Sequence, residues 1–263
     1  MLQLVALSVI ASLSAAQPTL LDSGYREMYN LEFDQAHRSF QEWERMHPDD
    51  PLGPASNAAA YLFAEFARLH ILQSELFVRN DSFLKRETPA ADPATKRKFD
   101  GALARAEQLA ARNPEDGNSQ FAAILTHGLR ADYLALIEKR YFASLNDIKA
   151  GRALAERLLA KDPTYYDAYL AIGVESYTLG LKPLPVRWVL RLGGARTDKE
   201  EGIRKLRLTA EKGRYLLPYA RLLLAVAALR DHDRGRARNL LQYLHREFPA
   251  NPLYAEELAR LQQ

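Results

Sequence analysis

Four proline turns recur along this chain, and each is preceded at the same distances by the same kinds of side chain. The turns are Arg45-Met46-His47-Pro48-Asp49-Asp50-Pro51, Ala111-Arg112-Asn113-Pro114-Glu115-Asp116, Ala160-Lys161-Asp162-Pro163 and Glu247-Phe248-Pro249-Ala250-Asn251-Pro252. Counting back 12, 8 and 5 residues from the turn proline gives Ala36, Phe40 and Trp43; then Ala102, Ala106 and Leu109; then Gly151, Ala155 and Leu158; then Ala237, Leu241 and Leu244. At 3.6 residues per turn these offsets draw one stripe along a helix, with a small residue where a neighbouring helix can come close. Proline stops the helix it follows, and the Asp or Asn beside it can cap the next one. The chain therefore reads as helix–turn–helix units, each with an apolar stripe that it cannot bury alone.

That stripe is the second-helix signature of the tetratricopeptide repeat, and the chain resembles members of that superfamily. The first-helix signature is clearest after Pro163, where Tyr169, Ile172 and Gly173 stand where the family has an aromatic residue, a leucine and a glycine; Gly24 is a weaker echo in the first unit. The resemblance implies an all-α fold, a right-handed superhelix of antiparallel helix pairs. Successive turn prolines lie 66, 49 and 86 residues apart, against about 34 in a regular array, so lengthened helices and insertions are expected. A second resemblance runs through Ile172-Gly173-Val174, Leu179-Gly180-Leu181, Pro183-Leu184-Pro185, Leu190, Gly193-Gly194, Asp198, Gly202 and Leu206. This stretch is similar to one in the tetratricopeptide-repeat-domain-39 family of helical proteins. It implies the same architecture and brings no catalytic residue with it.

The spacing predicts a long, mostly apolar helix over 54–79, with Ala58, Leu62, Phe66, Leu69, Leu72, Leu76 and Phe77 on its stripe, then a polar loop over 80–96 containing Pro89 and Pro93. A long pair over 118–138 and 141–161 follows, then a helix over 164–180, a Pro-broken segment over 183–194, a helix over 198–213 and a final pair. No window alternates with period two, so no strands are expected. Apolar residues at 48% and charged residues at 26% exclude wholesale disorder.

Residues 1–21 carry no charge, and the apolar run Leu4–Leu13 ends in Ser14-Ala15-Ala16-Gln17-Pro18. This suits an export signal cleaved after Ala16, leaving 17–263 as one helical-repeat domain in the periplasm or outside the cell. The first three residues lack the usual Lys or Arg, so an uncleaved anchor or a first helix packed on the body are the alternatives. Asn80-Asp81-Ser82 is a formal glycosylation acceptor.

The chemistry-bearing residues do not assemble into a catalytic motif. With no Cys there is no disulfide, no thiol nucleophile and no thiolate metal site. The six His show no metalloprotease spacing. His232-Asp233 falls where the turn of the last repeat belongs and reads as turn and cap. Gly193-Gly194-Ala195-Arg196 fits neither a P-loop nor a dinucleotide fingerprint, and no Gly-x-Ser-x-Gly elbow exists. Charges balance at 36 Lys+Arg against 33 Asp+Glu, which gives no global attraction to nucleic acid. No enzyme, cofactor or metal is expected.

Two features are candidates for recognition. In the clearest unit, the face opposite the packing stripe presents Asp167, Leu170, Val174 and Tyr177, an expected groove for a protein or peptide on the concave side. The equivalent offsets in the last unit give Tyr219, Leu222, Val226 and Leu229, a set apolar enough to pack against another helix. The second feature is the segment 182–196, with four cations, no anion, and Arg187 and Arg191 on one helical face beside Trp188 and Leu192. It fits an anionic membrane surface or an acidic partner, and fits equally an inserted helix whose Arg stems snorkel. The expected function is a non-catalytic scaffold for another protein; the alternative is a lipid-associated helical protein using 182–196.

Overall fold

A computed structural model describes residues 17–71, 90–181 and 197–262. Among them there are eleven α-helices and no strand: α1 (Leu20–Tyr29), α2 (Phe33–Met46), α3 (Leu52–Arg68), α4 (Pro93–Ala110), α5 (Gly117–Asp132), α6 (Tyr141–Lys161), α7 (Tyr169–Gly180), α8 (Lys199–Lys212), α9 (Leu217–Arg230), α10 (Arg234–Glu247) and α11 (Pro252–Arg260). A π-helical turn, Tyr133–Ile137, follows α5, and a 3₁₀ turn, Tyr166–Ala168, precedes α7.

The helix starts have local causes. Thr19 and Asp22 form a capping box on α1; Asp92, Asp116, Asp198, Asp233 and Asn251 accept backbone N–H groups at the starts of α4, α5, α8, α10 and α11. His232 has φ 59°, the left-handed corner that ends α9, and Asp233 then caps α10. The expected turn at His232-Asp233 is therefore present.

Ten of the twelve stripe residues are buried. Ala36, Phe40, Ala106, Leu109, Ala155, Leu158, Ala237, Leu241 and Leu244 belong to the core, and Gly151 is buried beside His127. Ala102 and Trp43 are partly buried, with the Trp43 indole N–H donating to Asp50 in the following turn at 2.9 Å. The expected helix over 141–161 is α6, end for end. The helix expected over 54–79 begins at Leu52 and ends at Arg68, beyond which His70 turns left-handed with φ 56°; its expected stripe residues Leu72, Leu76 and Phe77 lie outside the described residues.

The first helix touches the last ones. The Tyr29 hydroxyl donates to the Tyr215 carbonyl at 3.0 Å, Asn251 donates to the Tyr29 carbonyl at 2.9 Å, and the Ala250 N–H reaches Asn30 at 3.2 Å. Arg214 grips Asp22 through two 2.8 Å hydrogen bonds. The rings of Tyr25 and Tyr215 stack at 4.9 Å, and Tyr29 meets Phe248 at 5.4 Å. In an open solenoid each repeat contacts only its neighbours. Here the row of pairs closes on its own start, and side chains from α1 through α11, α8 excepted, share one core. A smaller core holds α8 against α7 and α9 through Tyr177, Ile203, Leu206, Ala210, Ala220, Leu224 and Ala227.

Candidate functional site

The four residues expected to line a groove stand elsewhere. Asp167 is buried and its carboxylate accepts the backbone N–H groups of Arg214, Tyr215 and Leu216 at 2.9, 3.4 and 2.8 Å. It fixes the loop that leads into α9, and burial pushes its carboxyl up despite those donors. Tyr177 is buried in the smaller core, and Leu170 and Val174 pack on its edge. The expectation of an open groove on this face is corrected. The covering element is α8, whose backbone lies so close that a Cβ on Gly202 would stand 2.4 Å from the Tyr177 nitrogen. One on Gly173 would meet Leu206 at 2.9 Å. Gly173, Gly202 and Leu206 are residues that carry the resemblance over 172–206, so that pattern records a tight helix crossing. Arg187 and Arg191, the export signal over 1–16, and Asn80-Asp81-Ser82 lie outside the described residues.

The apolar face of α9 fills the interior. Leu222 and Val226 are buried, while Tyr219 and Leu229 are partly buried against the main core. Tyr219 packs edge-on to Phe63 at 5.6 Å and donates its hydroxyl to Asp132 at 3.2 Å. Asp132 is the last residue of α5, where a negative charge also opposes the helix dipole. Burial pushes its carboxyl up to about 7, with the Tyr219 hydroxyl acting against the shift. The same burial drives the Tyr219 phenol well above its ordinary range.

A cavity opens where α1 meets α11, walled by Met28, Tyr29, Phe63, Leu222 and Tyr254, with Asn251 and Glu257 at its polar side. It measures about 20 Å³, room for a single water. Burial raises the Glu257 carboxyl, and Arg260, paired with it one turn on, opposes that rise. Asp132 and Tyr219 do not line this cavity.

Two polar clusters lie between neighbouring helices. His37 Nδ1 is 2.6 Å from Asn57 Oδ1, and Asn57 donates to Glu44 at 3.1 Å. An amide oxygen only accepts, so Nδ1 carries the proton and Nε2 the lone pair. Burial holds the His37 ring below its usual range, and it stays neutral at pH 7. Across α5 and α6, His127 Nδ1 meets Asp147 at 2.8 Å, while Arg130 bridges Asp147 and Glu107. Both clusters have an imidazole oriented by a neighbour. Each reads as a polar strut between helices. Among the described residues no group of three His, Asp or Glu converges as a metal site would require.

Phe142 is 89% exposed in the first turn of α6, beside half-exposed Tyr141, and Leu181 stands exposed after α7. Aromatic residues in a helical pattern read by default as core, so sequence reasoning passed over this pair; the signal available was the doublet directly after Lys139-Arg140. No family model matches the chain, and neither a curated protein nor a solved structure is similar enough to count as a relative.

Proposed function

We propose that this protein is a non-catalytic, tetratricopeptide-like helical-repeat scaffold that holds another protein or peptide outside the cytoplasm, after residues 1–16 are removed. The observation that carries the reading is the stripe: a small residue, then two apolar ones, repeated four times before a proline turn and buried in ten of twelve positions. Repetition of a packing face without repetition of a chemical group is the pattern of an architecture selected for its surface. With α9 buried in the core and α8 over α7, recognition falls to the outward faces and the rim. Cofactor, metal and nucleic acid have no place in this reading.

The test is affinity capture of the mature chain from its native extract, with cross-linking and identification of what co-purifies. A single polypeptide in stoichiometric amount, together with an N-terminus at Gln17, is the expected result. Recovery of lipid alone would overturn the scaffold reading; an intact Met1 would overturn the export.

A further inference from the structure

We propose that the end of the array bearing Phe142 docks on an anionic lipid surface, a contact beyond the scaffold role. Among the described residues four large apolar side chains are exposed: Met46, Tyr141, Phe142 and Leu181. Three of them gather at one end. Residues 162–168 return the chain from α6 to α7, and the 2.9 Å contact of Arg152 with Glu175 sets the register of the two helices. From Arg152 back to Phe142 is about 15 Å of helix, and from Glu175 on to Leu181 about 9 Å. Leu181 therefore finishes within about one helical turn of the level of Phe142. Met46, at the far end of α2, lies on the opposite side of the array.

This end is also positive. Tyr133, in the turn that leads to α6, stacks on Phe99 at 5.1 Å and lies under the Lys96 ammonium at 5.0 Å, so the first turns of α4 stand next to it. Lys96, Arg97, Lys139 and Arg140 lie in the first turns of α4 and just before α6, against Asp92, Asp100 and Glu138, with Lys96–Asp100 and Arg140–Glu138 paired; Lys98 turns away to the Tyr61 ring at 5.9 Å. Lys139 holds φ 58°, and this left-handed corner starts α6 in a new direction, with Phe142 projecting from its first turn.

A projecting ring flanked by another aromatic and by cations suits a deformable, negatively charged interface. The rings enter the headgroup boundary while the cations meet phosphate. A protein partner would need a preformed pocket for a side chain that stands so far out. No helix among the described residues is long and apolar enough to cross a membrane, so the contact is at the surface.

The test uses the purified full chain and phosphatidylcholine vesicles with or without phosphatidylglycerol, read by flotation. Binding is expected only with phosphatidylglycerol, and it should weaken as salt rises. Phe142→Ser should weaken it about tenfold or more, and the pair Arg97→Glu/Arg140→Glu, both exposed, about tenfold. Met46→Ser should leave it unchanged, and all these variants should melt with the wild type, because the altered side chains are exposed. Phe142→Trp should bind as the wild type does, with an emission that shifts to the blue on the vesicles. Equal binding by Phe142→Ser and wild type would overturn the proposal, as would equal binding to neutral vesicles. A chain dimer that Phe142→Ser dissociates would overturn it too, by assigning the ring to a second copy.

Discussion

Asp132 offers a test of the interior in which the pH dependence carries the information. An exposed Asp loses its proton near 3.8, whereas burial holds this one up to about 7. Between those values the folded chain binds a proton that the unfolded chain has released, so stability falls as pH rises through that window and levels off above 7. At 1.36 kcal/mol per pH unit the full effect is about 4 kcal/mol. Asp132 keeps some accessible surface, and solvent screening reduces the figure to about 2 kcal/mol. Asp132→Asn keeps the acceptor for Tyr219 and removes the titration. Relative to wild type it should change little near pH 4 and be more stable by about 2 kcal/mol at pH 8. In urea, with a slope of about 2–3 kcal/mol per M, the midpoint at pH 8 should rise by about 0.7–1 M. Tyr219→Phe, which withdraws the hydroxyl that donates to the carboxylate, should steepen the decline in stability between pH 5 and 8. A midpoint difference between Asp132→Asn and wild type that is the same at pH 5 and pH 8 would refute the reasoning, because a group without a displaced titration has no pH-dependent contribution to lose.

Asp167→Ala strands three backbone N–H groups at the entrance to α9 and should cost about 3 kcal/mol by urea denaturation, with Asp167→Asn losing less because one oxygen remains. Gly101→Ala, where a Cβ meets nothing within 4 Å in mid-helix, should gain about 0.5–1 kcal/mol. Gly202→Val should lose about 2–3 kcal/mol or more as α7 and α8 are forced apart, and a gain in thermal stability there would contradict the crossing described above. Because the ends of the array meet, unfolding should be a single transition, with helix circular dichroism and Trp43 fluorescence (read in a Trp188→Phe background) coincident in urea; an early loss of the α1–α2 signal alone would show that the closure contributes little.

The sequence displays the helices and hides their covering. The stripe offsets, the limits of α6, the corner at His232 and the cap at Asp198 all follow from local chemistry, in which proline, Asp and a 3.6-residue period act over a few residues. The apolar offsets of α9 likewise imply a buried helix, and Leu222 and Val226 are buried. Spacing along α7 identifies a face at Asp167, Leu170, Val174 and Tyr177 but says nothing about which element lies over it. Gly202 was visible as part of a pattern, yet its meaning, a helix crossing against Tyr177, needs the partner helix to be in place. The closure is hidden for a similar reason. Tyr29 and Tyr215 look like ordinary amphipathic tyrosines until the hydroxyl of one is found on the carbonyl of the other, 186 residues away.

Closure also changes what the repeats can do. An open array needs polar end units to keep its terminal stripes soluble. Here Leu21, Tyr25, Met28 and Tyr29 of α1 are buried in the same core as Phe248 and Tyr254, so each end serves as the cap of the other. The charges agree with this arrangement: residues 17–71 hold four Lys or Arg against nine Asp or Glu, while residues 197–262 hold thirteen against nine. Arg214 on Asp22 is the direct contact between the two fields, and at ordinary salt only such close pairs escape screening. The apolar residues of α9, Leu222, Ala225 and Val226 among them, lie in that same core.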